Sequence, residues 1–453
     1  MGTKRKICLA LVLMMQFLIT LSGMRVNAAS SPGTGFVSAS GTSFILDGKS
    51  FRFAGCNAYD LFTFGDGSNT ATPDDIENKY MDKAKIDNLM SQMASDGIKV
   101  LRTWGFSHEE WHGFEKQKGV YNEAQFMLFD YILESAKKNN IKVIIVLENY
   151  WEAYGGIDTR LKWEGLPGTS HVNRAKFFTH AGCKQQYKNY VEHFVTRINH
   201  YTNKPYKEDP TIFSWELMNE PRYQDVSQEE NVKGTTLRAW VDEMAQFIKT
   251  LDPNHMVSIG IEGHESKYGF GGDEGNPFVY LHQSPYTDFT TAHPYPDEAW
   301  AGLNPDQAAK LVEMWINDSH NVVRKPFVME EFNTHNNREQ YWKAMFAKIE
   351  ELTASGDLFW CYSSFSGGFY ISHGDPILKN VFAPHAAKMA EGVSSKRGDL
   401  NGDGRVDTLD FEQMKTYLLS PAGPIDMNTW DLNGDGQIDA LDLAELRKLI
   451  LGL

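Results

Sequence analysis

The sequence predicts an α/β chain, a (β/α)8 TIM barrel followed by a small all-α calcium-binding module, and three observations carry that prediction. Eight short apolar or β-branched runs alternate with longer segments of helical period from about residue 50 to residue 364. Polar and aromatic residues collect at the C-terminal ends of those runs, the face on which a barrel builds its site. An acidic nonapeptide near the C-terminus recurs 32 residues later. A length of 453 residues suits one large barrel plus one small module.

The first residues run from Lys4-Arg5-Lys6 into an apolar stretch from Ile7 to about Leu21 and on to Val26-Asn27-Ala28, a small-x-small cleavage signal. Residues 1–28 are therefore expected to be a signal peptide, and the mature protein to be secreted and extracellular. Gln16 and Thr20 interrupt the stretch, which falls short of the roughly 20 apolar residues of a spanning helix. No later segment is long and apolar enough, so no membrane span is expected. Cys56, Cys183 and Cys361 form an odd set without metal-ligand spacing. Cys56 and Cys361 sit in apolar runs as core thiols, with one disulfide left open.

The eight runs are 51–57, 99–104, 142–148, 212–219, 256–261, 289–293, 327–332 and 358–363. Helical period marks 83–95, 124–138, 184–198, 236–251 and 338–352, whereas 264–288 is Gly-rich with no clear helix. Run two ends in Arg102-Thr103-Trp104 and run three in Glu148-Asn149-Tyr150-Trp151. Run four ends in Asn219-Glu220-Pro221, run six in His293-Pro294-Tyr295, run seven in Glu330-Glu331-Phe332, and run eight carries Trp360. Any one of these groups is unremarkable, because strand ends are wet. Six on one face make a site.

The net charge of −15 argues against nucleic acid as a partner, since phosphate binding draws on Lys and Arg. Nearly half of it lies in residues 398–453, where eleven acidic residues face four basic ones. So short and acidic a cluster points to a cation. Aromatics at 13% suit the apolar faces of sugar rings as well as a core.

Hydrolysing a glycosidic bond takes one carboxylic acid to protonate the departing oxygen and one carboxylate to attack, or to activate water, at the anomeric carbon. Glu220 and Glu331, at the ends of runs four and seven, are the candidates. Carboxyls about 5–5.5 Å apart would mean retention through a covalent intermediate. In that pair Glu220 is expected to hold the proton and Glu331 the charge.

Trp215-Glu216-Leu217-Met218-Asn219-Glu220-Pro221-Arg222 resembles the acid/base motif of clan A glycoside hydrolases, and more narrowly that of the family 5 β-mannanases. The resemblance covers about residues 36–390. It implies Glu220 as acid/base, Asn219 as the ligand of the sugar 2-hydroxyl, and Glu331, rather than Glu330, as nucleophile. It further implies that Arg102 keeps the nucleophile ionised, that His293 and Tyr295 lie beside it, and that Trp360 forms the platform under the reacting sugar. Trp104 and Trp151 complete the expected substrate-binding set, and catalysis is expected to need no cofactor. Asn149-Tyr150-Trp151-Glu152-Ala153-Tyr154-Gly155-Gly156 is similar to a mannanase segment, with Tyr150 in place of an Asn. Asn333 stands where the family usually has Gly. Glu148 and Glu216 are read as neighbours of the site. A β-1,4-glucanase or xylanase of the same clan would share both glutamates, and a catalytically inactive carbohydrate-binding barrel is a further alternative.

After a polar linker at 391–397, Asp399-Leu400-Asn401-Gly402-Asp403-Gly404-Arg405-Val406-Asp407 recurs as Asp431-Leu432-Asn433-Gly434-Asp435-Gly436-Gln437-Ile438-Asp439. Both copies fit a calcium loop with oxygen ligands at positions one, three, five, seven (a carbonyl), nine and twelve. The predicted ligands of two Ca2+ are Asp399, Asn401, Asp403, Arg405, Asp407 and Asp410, then Asp431, Asn433, Asp435, Gln437, Asp439 and Asp442. With Asp at position twelve and no incoming helix, 398–453 resembles the type I dockerin of cellulosomal enzymes. That resemblance implies a cohesin on a scaffold protein as partner, chosen through Thr408-Leu409 and Ala440-Leu441.

Overall fold

The computed structural model describes residues 35–65, 80–365, 367–391, 396–400, 406–421, 425 and 427–452. The expected signal peptide, most of the linker, and Asn401, Asp403 and Arg405 lie outside these residues.

Eight strands form the barrel: β1 (Phe53–Asn57), β2 (Val100–Trp104), β3 (Lys142–Val146), β4 (Ile212–Glu216), β5 (Met256–Ser258), β6 (Thr290–Ala292), β7 (Phe327–Phe332) and β8 (Gly356–Phe359). All neighbours are parallel, in the order β5-β4-β3-β2-β1-β8-β7-β6. Across the β5/β6 seam the Val257 carbonyl accepts from Asp288 N and the Glu262 carbonyl from His293 N, both at 2.9 Å. Every residue of β1, β2, β4 and β7 is buried. Strands covered on both faces read as continuous apolar runs without alternation, which is why they stand out in the sequence.

Phe53, Val100, Ile144, Phe213, Met256, Phe289, Val328 and Leu358 fill the barrel's lower layer, one from each strand or its first turn. An antiparallel meander, Val37–Ser40, Ser43–Leu46 and Lys49–Phe51, caps that end. Its Phe44 meets Phe213 and Phe289 edge-on at 5.0 and 5.4 Å. The first predicted run is thus divided. Phe51 closes the meander, Arg52 turns outward to donate to the carbonyls of Ala354 and Ile349, and β1 begins at Phe53. The eighth strand starts two residues earlier than predicted, at Gly356, where a Cβ would lie 2.2 Å from the Phe53 ring. Glycine's low strand propensity hides that start.

Each helix read from the sequence is present: Lys83–Ser95, Glu123–Lys138, Ala181–Val195, Thr235–Leu251 and Arg338–Glu351. A further helix, Pro305–Asn317, opens with an Asn304/Gln307 capping box and Pro at its first turn. The Gly-rich segment after β5 holds the short helix Phe278–His282. Among the described residues no helix is long and apolar enough to cross a membrane. Cys56, Cys183 and Cys361 are buried free thiols, so the disulfide left open does not form.

At the C-terminus, helices Thr408–Leu419 and Ala440–Leu451 pack around Leu400, Met414, Trp430, Leu432 and Leu446. Asp407 and Asp439 cap them in the same way, each in a capping box with the Asp three residues on. The two copies therefore share the same capped helix start.

Candidate active site

Arg102, at the centre of β2, is fully buried and organises the floor of the site. Its Nε and Nη2 donate to the two oxygens of Glu216 at 2.7 and 2.6 Å. Nη1 donates to Glu331 Oε1 at 2.5 Å and to Asn57 Oδ1 at 2.9 Å. Nη2 also reaches Asn219 Oδ1 at 2.8 Å, and Asn219 Nδ2 donates to Asn149 Oδ1 at 3.1 Å. One guanidinium so ties β1, β2, β4 and β7 together, using the planar fork that only Arg offers.

Glu331 Oε2 accepts from the Tyr295 hydroxyl at 2.7 Å. Glu220 Oε2 accepts from Trp151 Nε1 at 2.6 Å, and its Oε1 lies 3.0 Å from His293 Nδ1. An oxygen of Glu220, an oxygen of Glu331 and a ring nitrogen of His293 all lie within 4.8 Å of one another. Glu220 holds φ +52, a left-handed conformation that costs a non-Gly residue about 1 kcal/mol or more. Its N–H donates to the Gly260 carbonyl at 2.8 Å. Gly260 itself has φ +91, and a Cβ there would fall 2.2 Å from both Glu216 Oε1 and the Met218 carbonyl. The close approach that shapes the end of β4 thus depends on this glycine.

The electrostatics depart from expectation at Glu220. Burial opposes its ionisation, but the His293 bond and charge, Arg222 and the Trp151 bond outweigh burial and carry its pKa below the usual carboxylate range. Burial likewise disfavours the imidazolium of His293, yet Glu331, Glu220 and Glu330 outweigh it and raise that pKa well above the ordinary value. Both shifts lean the same way, toward a Glu220 carboxylate beside a His293 imidazolium. Burial raises the Glu331 pKa, opposed by His293, Arg102 and Tyr295. Burial also raises that of Glu216 despite Arg102.

Trp360 is partly exposed and stacks on Tyr59 with centroids 4.8 Å apart and planes 8° from parallel. Trp104, only 5% exposed, lies behind this pair, 5.1 Å from Tyr59 and 6.1 Å from Trp360. It braces the platform and offers little face to a ligand. Tyr150, the departure from the mannanase segment, is buried with its hydroxyl 2.7 Å from His171 Nδ1, so it belongs to the wall. Asn333 donates to the carbonyls of Trp360 and Phe369 and accepts from Arg338 Nε at 2.7 Å, which pins the loop after β8. Glu148 is held by Arg160 and His108.

A cleft of about 650 Å3 runs from Glu220, His293 and Tyr295 to Arg222, Glu262, His264, Glu274 and Trp300. Arg222 donates to Glu262 and, at 2.8 Å, pairs with Glu274, which also meets His264 Nδ1 at 2.9 Å. With its carboxylates engaged by a guanidinium, this cluster reads as a polar wall for hydroxyl groups. The sequence reading passed over it. Its signal was Arg222, which lies inside the very motif that singled out Glu220.

A family model described as "GH family 5 beta-mannosidase-like" matches residues 34–368. The chain is a family 5 glycoside hydrolase. Mannan endo-1,4-beta-mannosidase 1 of Arabidopsis thaliana is 36% identical over 315 residues, 66% of this hydrolase and 72% of the relative. Mannan endo-1,4-beta-mannosidase 4 of Solanum lycopersicum is 33% identical over 365 residues, 74% and 86% of the two chains. The crystal structure of an endo-1,4-beta-mannanase from Rhizomucor miehei aligns with TM-score 0.67 and 31% identity, covering 79% of this chain and 99% of that one.

The hydrolase also carries a type I dockerin domain, matched over residues 397–451. The donor set of its second loop, Asp431, Asn433, Asp435, Asp439 and Asp442, is all hard oxygen, as calcium requires. Gly436, at loop position six, takes φ +81 for the sharp turn such a loop needs. Asp442 is buried, accepting from Leu432 N at 2.7 Å and Asp439 N at 2.9 Å. These residues fit the ion.

Proposed function

We propose that the barrel is a retaining endo-β-1,4-mannanase acting on mannan, glucomannan or galactomannan, with Glu220 as acid/base and Glu331 as nucleophile. The observation that supports the mechanism is the approach of one Glu220 oxygen and one Glu331 oxygen to within 4.8 Å, which agrees with the closely paired carboxyls of direct attack. An inverting pair would stand about 6.5–9.5 Å apart to admit a water between them. Mannan as substrate rests on the relatives, whose names describe that activity.

Arg102 and Tyr295 each donate to one oxygen of Glu331, favouring the anion that attacks the anomeric carbon. Glu220, steered by Trp151, delivers a proton to the departing oxygen as the C–O bond breaks. The ester formed on Glu331 removes the charge beside Glu220, which then takes a proton from the water that releases the sugar. Asn219, fixed by Arg102 and Asn149, is placed to hold the sugar 2-hydroxyl, and Trp360 to stack under the ring.

The dockerin would hold two calcium ions and attach the enzyme to a cohesin on a scaffold outside the cell, after export through the N-terminal signal. The dockerin match supports this attachment. When bound, the ions would neutralise the loop carboxylates and fix both loops against their helices.

The test follows the anomer of newly formed chain ends by proton NMR during digestion of mannan, carboxymethylcellulose and xylan. β-Anomer appearing first on mannan, and lost in Glu331→Ala, is expected. First appearance of the α-anomer would sink retention, and preference for another backbone would sink the substrate.

A further inference from the structure

We propose that Glu330 is a positioning residue that acts through His293 to keep the catalytic proton next to Glu220. This rests on the reading of Glu220 as acid/base. Successive strand residues normally face opposite sides. At β7 the register with β8 shifts between Met329 and Phe332, and Glu330 and Glu331 both reach the same imidazole. Glu330 Oε2 stands 3.3 Å from His293 Nε2, and Glu331 Oε2 3.8 Å from Nδ1. The Glu330 side chain is wholly buried, and its Oε1 has no hydrogen-bond partner among the described residues. A buried carboxylate with so little else to do calls for a reason, and among the described residues its one polar contact is the imidazole.

The geometry supplies that reason. With Nε2–H donating to Glu330, Nδ1 faces Glu220 Oε1 at 3.0 Å and shares one proton with it. That proton sits either on the acid, donating to neutral Nδ1, or on Nδ1, donating to the Glu220 carboxylate. The negative charge of Glu330 favours the second arrangement and raises the affinity of the pair for its proton. During glycosylation the proton crosses to Glu220 and then to the departing glycosidic oxygen, which keeps the electron pair of the broken C–O bond. Glu331 forms the new bond to the anomeric carbon in the same step.

The other groups around His293 are fixed in the same frame. Glu216 and Glu220 face it from β4 and the turn beyond, Glu262 accepts its backbone N–H after β5, and Tyr295 follows on its own loop. Arg102 on β2 bridges Glu216 and Glu331, and Arg222 stands behind Glu220. The raised His293 and lowered Glu220 pKa values agree with a proton held on the ring.

The test compares pH profiles of kcat/KM for the full chain and Glu330→Gln on mannopentaose and on 2,4-dinitrophenyl β-mannobioside, whose leaving group departs without a proton. Gln keeps an acceptor for Nε2–H but removes the charge. The alkaline limb on mannopentaose should move down by about one pH unit, a roughly tenfold loss on that side. On the dinitrophenyl substrate, whose cleavage needs no acid, the wild-type and variant profiles should coincide. Superimposable wild-type and variant profiles on mannopentaose, or an equal loss on both substrates at every pH, would overturn the proposal. Thermal unfolding of Glu330→Gln confirms that it is folded. Glu220→Ala separates the underlying reading: if it loses both substrates equally, Glu220 is not the acid, whatever Glu330 does.

Discussion

Arg102 and Glu216 form a closed two-bond pair beneath the cleft, Nε to Oε2 at 2.7 Å and Nη2 to Oε1 at 2.6 Å, and both side chains are fully buried. This pair leaves Nη1 free to hold Glu331, so Glu216 aims the nucleophile without touching substrate. In Arg102→Lys three donors on one nitrogen replace the five bonds of the planar fork, so Glu216, Glu331, Asn57 and Asn219 can no longer all be held at once. The expected result is a fall in kcat/KM of about 10²-fold or more. The buried acceptors left unsatisfied should also lower stability, by about 1–3 kcal/mol. Denaturant unfolding in parallel with kinetics checks both. A variant with near wild-type kcat/KM would show that Arg102 only packs.

The platform predicts a graded response at Tyr59, whose ring backs Trp360. Tyr59→Phe keeps the stack and loses only the 3.3 Å hydroxyl contact with Tyr370, so its kcat/KM should stay within about twofold of wild type. Tyr59→Ala leaves Trp360 unsupported on one face, and about a tenfold loss is expected, because small misplacements of a positioning group are costly. Equal effects of Phe and Ala would point to the hydroxyl instead.

The barrel was legible because its strands are buried on both faces and read as short apolar runs spaced by helical segments. Glu220, Glu331, Arg102, His293 and Tyr295 could be singled out from one sequence because each lies in or just after the C-terminal half of such a run, within a motif of the resembled family. Glu330 could not: a Glu-Glu pair reads as solvated surface until the irregularity in β7 turns both carboxylates inward. Trp104 looked like a sugar contact for the same positional reason that Trp360 did, and only packing separates the buried ring from the partly exposed one. The Arg222 cluster escaped because Glu262, His264 and Glu274 come from a Gly-rich segment with no periodicity to announce them.

Glu148 gives a prediction for acid stability. Burial opposes its charge, yet Arg160 and His108 outweigh burial and hold its pKa at about 2, against an ordinary 4.5. A depressed folded pKa contributes stability that is complete above the unfolded value and lost as pH falls through the folded one. Wild type should therefore lose about 3 kcal/mol from this group between pH 4.5 and pH 2. Glu148→Gln should be less stable at pH 7 and should lack that portion of the acid slope. Chemical unfolding at half-unit pH steps measures it, and parallel slopes would refute the assignment.

The dockerin gives a prediction that separates attachment from catalysis. Its small core of Leu400, Met414, Trp430, Leu432 and Leu446 offers limited burial, so metal binding should supply much of its folding free energy. Calcium at about 100 times its dissociation constant contributes about 2.7 kcal/mol per site. EGTA should thus lower a C-terminal unfolding transition while leaving the initial rate on soluble mannan unchanged, since no catalytic step uses those loops. Asp435, at loop position five, accepts among the described residues only from Gln437 N and Asn433 Nδ2, so Asp435→Ala disturbs little besides the second site. Calorimetric titration of the full chain should then fall from two calcium ions to one. A stoichiometry that stays at two would remove Asp435 from the ligand set, and a hydrolysis rate that drops with EGTA would tie calcium to the barrel itself.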